Sequence, residues 1–186
     1  MKKKTVALLL ALVLVFGVAA GGTLAWLTDK TGEVTNTFTY GDINIELTET
    51  TGNDYKIVPG VDIAKDPKVT VEANSEACWL FVKVEETGTF VKDKVTYNIA
   101  NGWTALEGAN GVYYREVDAT AAKAGASYYV LAGNDTYPNG VVNVSENLTK
   151  TDVNSITTKP TLTFTAYAVQ AESFDTAAAA WAEASK

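Results

Sequence analysis

Carboxylates are the most abundant side chains in this sequence suited to acid–base chemistry, and their spacing argues against that use. The chain carries 22 Asp and Glu residues and no histidine. Without histidine neither a Ser-His-Asp nor a Cys-His nucleophile can be assembled, and the two-histidine helix of the common zinc proteases is excluded as well. The close carboxylate pairs are Glu85-Glu86, Asp62 with Asp66, and Asp152 near Glu146. Adjacent residues of a strand face opposite ways, so Glu85 and Glu86 cannot share a proton. There is no glycine-rich phosphate loop between a strand and a helix, and no acidic loop has the helix-loop-helix calcium spacing. The turn around Asn134 and Asp135 is a weak candidate for a carboxylate-only calcium site on a loop. The expectation is a protein that is not an enzyme, with no cofactor and no metal.

The remaining reactive or recognition-prone groups have simpler readings. Cys78 is the only cysteine, which rules out an intrachain disulfide, and its neighbours Ala77, Trp79, Leu80, Phe81 and Val82 predict a buried, inert thiol. Asn134-Asp135-Thr136, Asn143-Val144-Ser145 and Asn147-Leu148-Thr149 match the glycosylation pattern and read as solvated loop residues. Tyr113-Tyr114 and Tyr128-Tyr129 could line a sugar-binding face, but in alternating strands one member of each pair belongs to the core.

Strands must position these residues. Alternation predicts them over Gly41 to Thr48, Lys68 to Ala73, Cys78 to Glu86, Lys94 to Ile99, Trp103 to Leu106, Val112 to Val117, Ser127 to Ala132 and Thr161 to Gln170. The segment from Cys78 starts apolar on both faces, as a central strand does. Two segments read as helical: Ala119 to Ala124, and the alanine-rich Asp175 to Ser185, with Asp175 or Ser173 as its cap and Trp181 as its packing anchor. Pro59-Gly60 and Asp66-Pro67 predict an exposed loop or edge between the first two strands. Strands at this spacing without intervening helices indicate an all-β sandwich or barrel.

The N-terminus sets the compartment. Lys2, Lys3 and Lys4 precede an apolar run from Val6 to Phe16, and Gly17 to Gly22 then loosens into small residues. This is the order of a helical secretory signal peptide. Thr23 and Ala25 suit a peptidase that takes small side chains, which makes Trp26 the first mature residue; Val18 and Ala20 offer a competing cut. A retained anchor is disfavoured by Gly21, Gly22 and Thr23 and by the absence of a basic stop-transfer cluster. The organisation is therefore a signal peptide over 1–25, an extension over 26–40 and one domain over 41–186. Removing the three lysines leaves 12 basic against 22 acidic residues, a net charge of −10. Such a surface repels phosphates, so nucleic acid is not an expected partner, and membrane contact is expected only through the uncut signal peptide.

The residues just past the apolar run carry a resemblance. Gly21-Gly22-Thr23-Leu24-Ala25-Trp26-Leu27-Thr28-Asp29, then Asn36-Thr37-Phe38 and Gly41-Asp42-Ile43, is similar to the start of the TasA, CalY and camelysin group. Those are Gram-positive exported proteins whose leader is cut by a dedicated SipW-type signal peptidase. Pro59-Gly60, Val69-Thr70-Val71 with Asn74, and Leu80-Phe81-Val82-Lys83-Val84 resemble that group's proline-glycine loop and paired strands. The resemblance implies a jelly-roll-like antiparallel β-sandwich, secreted to the cell surface or biofilm matrix, that self-associates into fibres. Assembly there is by β-strand addition, in which the N-terminal segment of one subunit completes a neighbour's sheet. The corresponding donor here is Trp26 to Tyr40, with Trp26, Leu27, Val34, Phe38 and Tyr40 as candidate assembly residues. Four alternatives stand beside it: an N-terminal strand that pairs only within its own domain, a floppy leader-proximal tail, a surface adhesin or carbohydrate-binding module, and a camelysin-like metalloprotease. The last is poorly served by a chain without histidine.

Overall fold

In the computed structural model, residues 41–52, 54–88 and 93–186 are described. The signal peptide, the extension and all the residues named for cleavage and assembly (Thr23, Ala25, Trp26, Leu27, Val34, Phe38 and Tyr40) lie outside them. The strands are β1 (Ile45–Thr48), β2 (Ile63–Ala64), β3 (Lys68–Val71), β4 (Cys78–Thr87), β5 (Val95–Tyr97), β6 (Thr104–Ala105), β7 (Val112–Val117), β8 (Ala126–Tyr129), β9 (Val141–Val144) and β10 (Thr161–Gln170). Helices α1 (Ala119–Ala124), α2 (Lys150–Asn154) and α3 (Ala177–Ala184) are short. The architecture is all-β and sandwich-like, built from three antiparallel sheets with one short C-terminal helix.

The longest alternating segments make the longest ladder. β10 and β4 pair over ten residues, from Thr161 opposite Thr87 to Gln170 opposite Cys78. β7 flanks the other side of β4, and β6 adds a two-residue edge, giving the order β10-β4-β7-β6. Facing this sheet are two three-stranded sheets, β1-β3-β8 and β2-β9-β5. The chain beyond β8 stitches them together: Ile99 bridges Leu131, Ala132 N donates to Asn98 O at 2.8 Å, and Val141 N donates to Ala132 O at 3.1 Å.

Alternation then fills the interior. Val69 and Val71 from one layer meet Leu80, Val82 and Val117 from the other, all almost wholly enclosed. Leu162, Phe164, Ala166 and Ala168 of β10 pack on the same core. The opposite face of the four-stranded sheet is also apolar, with Trp79, Phe81, Tyr114, Tyr167 and Val169. Helix α3 covers it. Trp181 lies 5.3 Å from the Phe81 ring and 5.1 Å from the Tyr167 ring, centroid to centroid. This double cover is why β4 is apolar on both faces, and why Tyr113 and Tyr114 each belong to a core rather than only one of them.

Several local expectations are corrected. The cap of α3 is Thr176, not Asp175 or Ser173: its backbone is extended, and its hydroxyl accepts from Ala179 N at 3.2 Å. Of the predicted exposed loop or edge, Pro59-Gly60 is exposed and β2 is an edge strand, but Asp66-Pro67 is buried, the Asp66 carboxylate accepting the amides of Thr50 and Thr51 at 2.9 and 3.1 Å. Strands β2 and β9 and helix α2 occupy stretches without a predicted element. Asn143 accordingly sits half-buried in a strand, not in a solvated loop.

Candidate functional site

The most distinctive candidate for a functional feature among the described residues is the outer edge of β10. The direction of its backbone groups is set by the register. Ala171 N donates to Ala77 O at 2.9 Å, which continues the β10–β4 pairing by one residue. In an antiparallel ladder such hydrogen-bonded pairs recur at every second residue. The odd residues of β10 therefore bond to β4. On the far side of β4, Val84 N donates to Gly111 O at 2.8 Å, so the even residues of β4 serve β7 and the odd ones serve β10, in agreement. The N–H and C=O groups of Leu162, Phe164, Ala166, Ala168 and Gln170 are left pointing away from the sheet. Among the described residues no strand pairs with them.

This edge lacks the usual guards. Folded proteins blunt a sheet edge with charge, proline, a bulge or a very short strand. The sequence of β10, TLTFTAYAVQ, has no charge and no proline, and ten consecutive partners leave no bulge. The other edge of the same sheet, β6, is a two-residue stub. β1 forms an edge of the facing layer and approaches β10 across the gap. Glu72 N donates to Asn44 O at 2.8 Å, so the even residues of β1 bond to β3 and the backbones of Ile45 and Leu47 point outward. Two open edges thus lie along one flank.

Beneath β10 the packing is anchored by charge. Lys65, only 8 % exposed, places its ammonium 2.6 Å from Glu49 Oε1 and over the rings of Tyr55 and Phe164 at 5.2 and 5.5 Å. Burial pushes the Asp66 carboxyl up, but the hydroxyls and amides of Thr50 and Thr51 together outweigh it and hold it below the ordinary range. These contacts tie the segment after β1 to the β2–β3 junction and support Phe164 from within.

The carboxylate pairs singled out from the sequence are dispersed into separate structural roles. Glu85 pairs with Lys83 at 2.7 Å on the outer face, whereas Glu86 accepts from the Tyr97 hydroxyl at 2.7 Å on the inner one. Burial, reinforced by the Glu86 contact, raises the Tyr97 phenol. Asp62 is bound by Asn134 Nδ2 and Asn143 Nδ2 at 3.0 and 3.1 Å. Asp152 caps α2 through Thr149. At the turn considered for calcium, Asn134 Oδ1 already accepts the amides of Thr136 and Tyr137. The described residues bring together no group of three or more potential metal-ligating side chains. Cys78 is fully buried, and burial pushes its thiol up to about 11. No described helix is long and apolar enough to cross a membrane.

The aromatic side chains do not form an open platform. Trp103 is buried with its Nε1 donating to Tyr129 O at 2.9 Å, and Trp79, Tyr113 and Tyr128 are half-buried against the cores. Trp103 and Tyr128 instead flank Arg115, which the sequence pattern did not single out. The signal was present: Arg115 shares strand parity with Tyr113 and Val117, so it had to face inward. The directions of the β10 backbone groups, by contrast, depend on pairing and could not be read from one strand. Comparison with family models, with curated proteins and with solved structures gave no match.

Proposed function

We propose that this chain is an exported structural subunit that assembles into extracellular or cell-surface fibres by β-strand addition, with β10 as the acceptor. The observation that carries the reading is the ten-residue, uncharged, proline-free edge with five residues' backbone groups directed outward. Such an edge gains main-chain hydrogen bonds from an added strand, and alternate side chains of that strand find the inner or outer face. The donor is the 26–40 segment of a neighbouring copy. Its fifteen residues, at about 3.3 Å each, exceed the length of β10 and leave a short tether. Val34 and Phe38 supply apolar anchors, and the segment has no proline to interrupt pairing. A jelly-roll description of the sandwich, secretion through a SipW-type leader and a surface or matrix location belong to the same reading, and rest on the sequence resemblance.

The test is removal of residues 26–39 from the mature protein. The expected product keeps the far-ultraviolet and near-ultraviolet circular dichroism of the intact domain but forms no fibres in electron microscopy over a concentration series. Fibres of undiminished yield from the truncated protein would overturn the donor assignment.

A further inference from the structure

Arg115 is the only arginine in the chain, and it lies on the inward face of β7 in a strongly acidic protein. Among the described residues its side chain takes part in no ion pair and no hydrogen bond, and its Nε is fully enclosed without a partner. An arginine in such surroundings ordinarily finds a carboxylate. Here aromatic faces hold it instead. The guanidinium carbon sits 3.5 Å from the Tyr128 ring centroid and 5.4 Å from that of Trp103. The Trp103 indole is itself pinned by its hydrogen bond to Tyr129 O. Burial lowers the Arg115 pKa from its ordinary value, with Tyr128 acting in the opposite direction. Gly102 admits the terminal nitrogen: a Cβ there would stand 3.0 Å from Nη2, at a backbone φ of +88° that already favours glycine.

The geometry leaves a single direction for recognition. The Tyr128 ring lies against the guanidinium, the Trp103 ring lies farther off and protein encloses Nε, so Nη1 and Nη2 are the donors left for a ligand. Those two atoms are not enclosed and have no protein partner among the described residues. A planar fork of donors with its orientation already fixed matches one chemical class best, the carboxylate, which accepts two parallel N–H bonds. Aromatic clamping removes the rotamer freedom that an exposed arginine would lose on binding.

We infer that Arg115, held against Tyr128 and near Trp103, is a recognition site for a carboxylate ligand from outside the chain. This does not depend on fibre assembly, because Arg115 lies on β7, two strands in from the β10 edge.

As the only arginine, it can be observed alone. Protein labelled with 15N-arginine gives one Nε–H signal, which is followed during titration with sodium acetate, sodium glucuronate and sodium chloride at matched ionic strength. The expected result is a saturable shift with both carboxylates and none with chloride, with a dissociation constant on the order of 1–10 mM for a group held by one side chain. A tighter response to glucuronate assigns the ligand to acidic saccharides, and an equal response assigns it to free carboxylic acids. Arg115→Lys keeps the charge but loses the fork, and should weaken acetate binding at least tenfold, read from the backbone signals of Gly102 and Tyr128. A linear response common to all three salts, or unchanged binding by the lysine variant, overturns the assignment. Should the variant not fold, the titration of the unaltered protein decides alone.

Discussion

Proline placed at neighbouring positions of β10 should have opposite consequences. Thr165 lies opposite Lys83 and, by the parity of the ladder, directs its N–H to β4; Ala166 lies opposite Val82 and directs its N–H outward. Thr165→Pro removes a ladder bond worth about 1 kcal/mol and leaves the facing carbonyl unpaired at a further cost of about 1–3 kcal/mol. With the ring strain, the loss is about 3 kcal/mol. Ala166→Pro loses no internal bond and costs about 1 kcal/mol, through overpacking of two added methylenes. With a urea m-value of about 1–3 kcal/mol/M, the first substitution lowers the midpoint by about 1–3 M and the second by about 0.3–1 M. Fibre formation should show the reverse order once stability is matched by temperature. Ala166→Pro removes a donor needed by an incoming strand, and its assembly should fail while its fold persists. Equal midpoints for the two variants would refute the assignment of backbone direction. Normal fibres from Ala166→Pro would refute β10 as the acceptor.

Two further outcomes concern the interior. Trp181→Ala removes the side chain through which α3 contacts Phe81 and Tyr167, and should cost about 2–4 kcal/mol in urea unfolding, with loss of near-ultraviolet dichroism; a change under about 1 kcal/mol would show that α3 is dispensable. The Cys78 thiol, raised from 9.0 to about 11, should be only about one-thousandth ionised at pH 8 and should react with a disulfide reagent only after unfolding. Its contribution to stability is full below about pH 9, where the unfolded thiol is still protonated, and is lost as pH rises through the folded value near 11. Rapid native-state labelling at pH 8, or a flat stability between pH 9 and 11, would contradict its burial.

Legibility in the sequence tracked the strength of the local pattern. β7 and β10 have the predicted bounds, and β4 differs only by Thr87, because long alternation has one way to bury its apolar side. The two-faced start of β4 was read as the mark of a central strand, which it is, and α3 covers its second face. β2 and β9 were not legible: two residues carry no period, and Val141-Val142-Asn143-Val144 reads as a strand only once Asp62 satisfies Asn143. The Asp66-Pro67 stretch looked like an exposed break because proline and aspartate favour turns. It is buried by a set of hydrogen bonds from Thr50 and Thr51, sixteen and fifteen residues away, and no local window contains them. The β10 strand was plain in the sequence, but its standing at an edge is a property of neighbours.

The four-stranded sheet ends in a ten-residue strand on one side and a two-residue stub on the other. That inequality fixes a valence. A sheet that can accept a strand along one margin only cannot stack indefinitely through its own edges, as a cross-β layer does. In the assembly proposed above, a subunit with one acceptor and one donor would make heterologous contacts that run head to tail, giving unbranched polymers whose two ends differ chemically. Growth of such a polymer can be stopped at the acceptor end by a short free peptide, at a concentration set by the number of ends rather than of subunits.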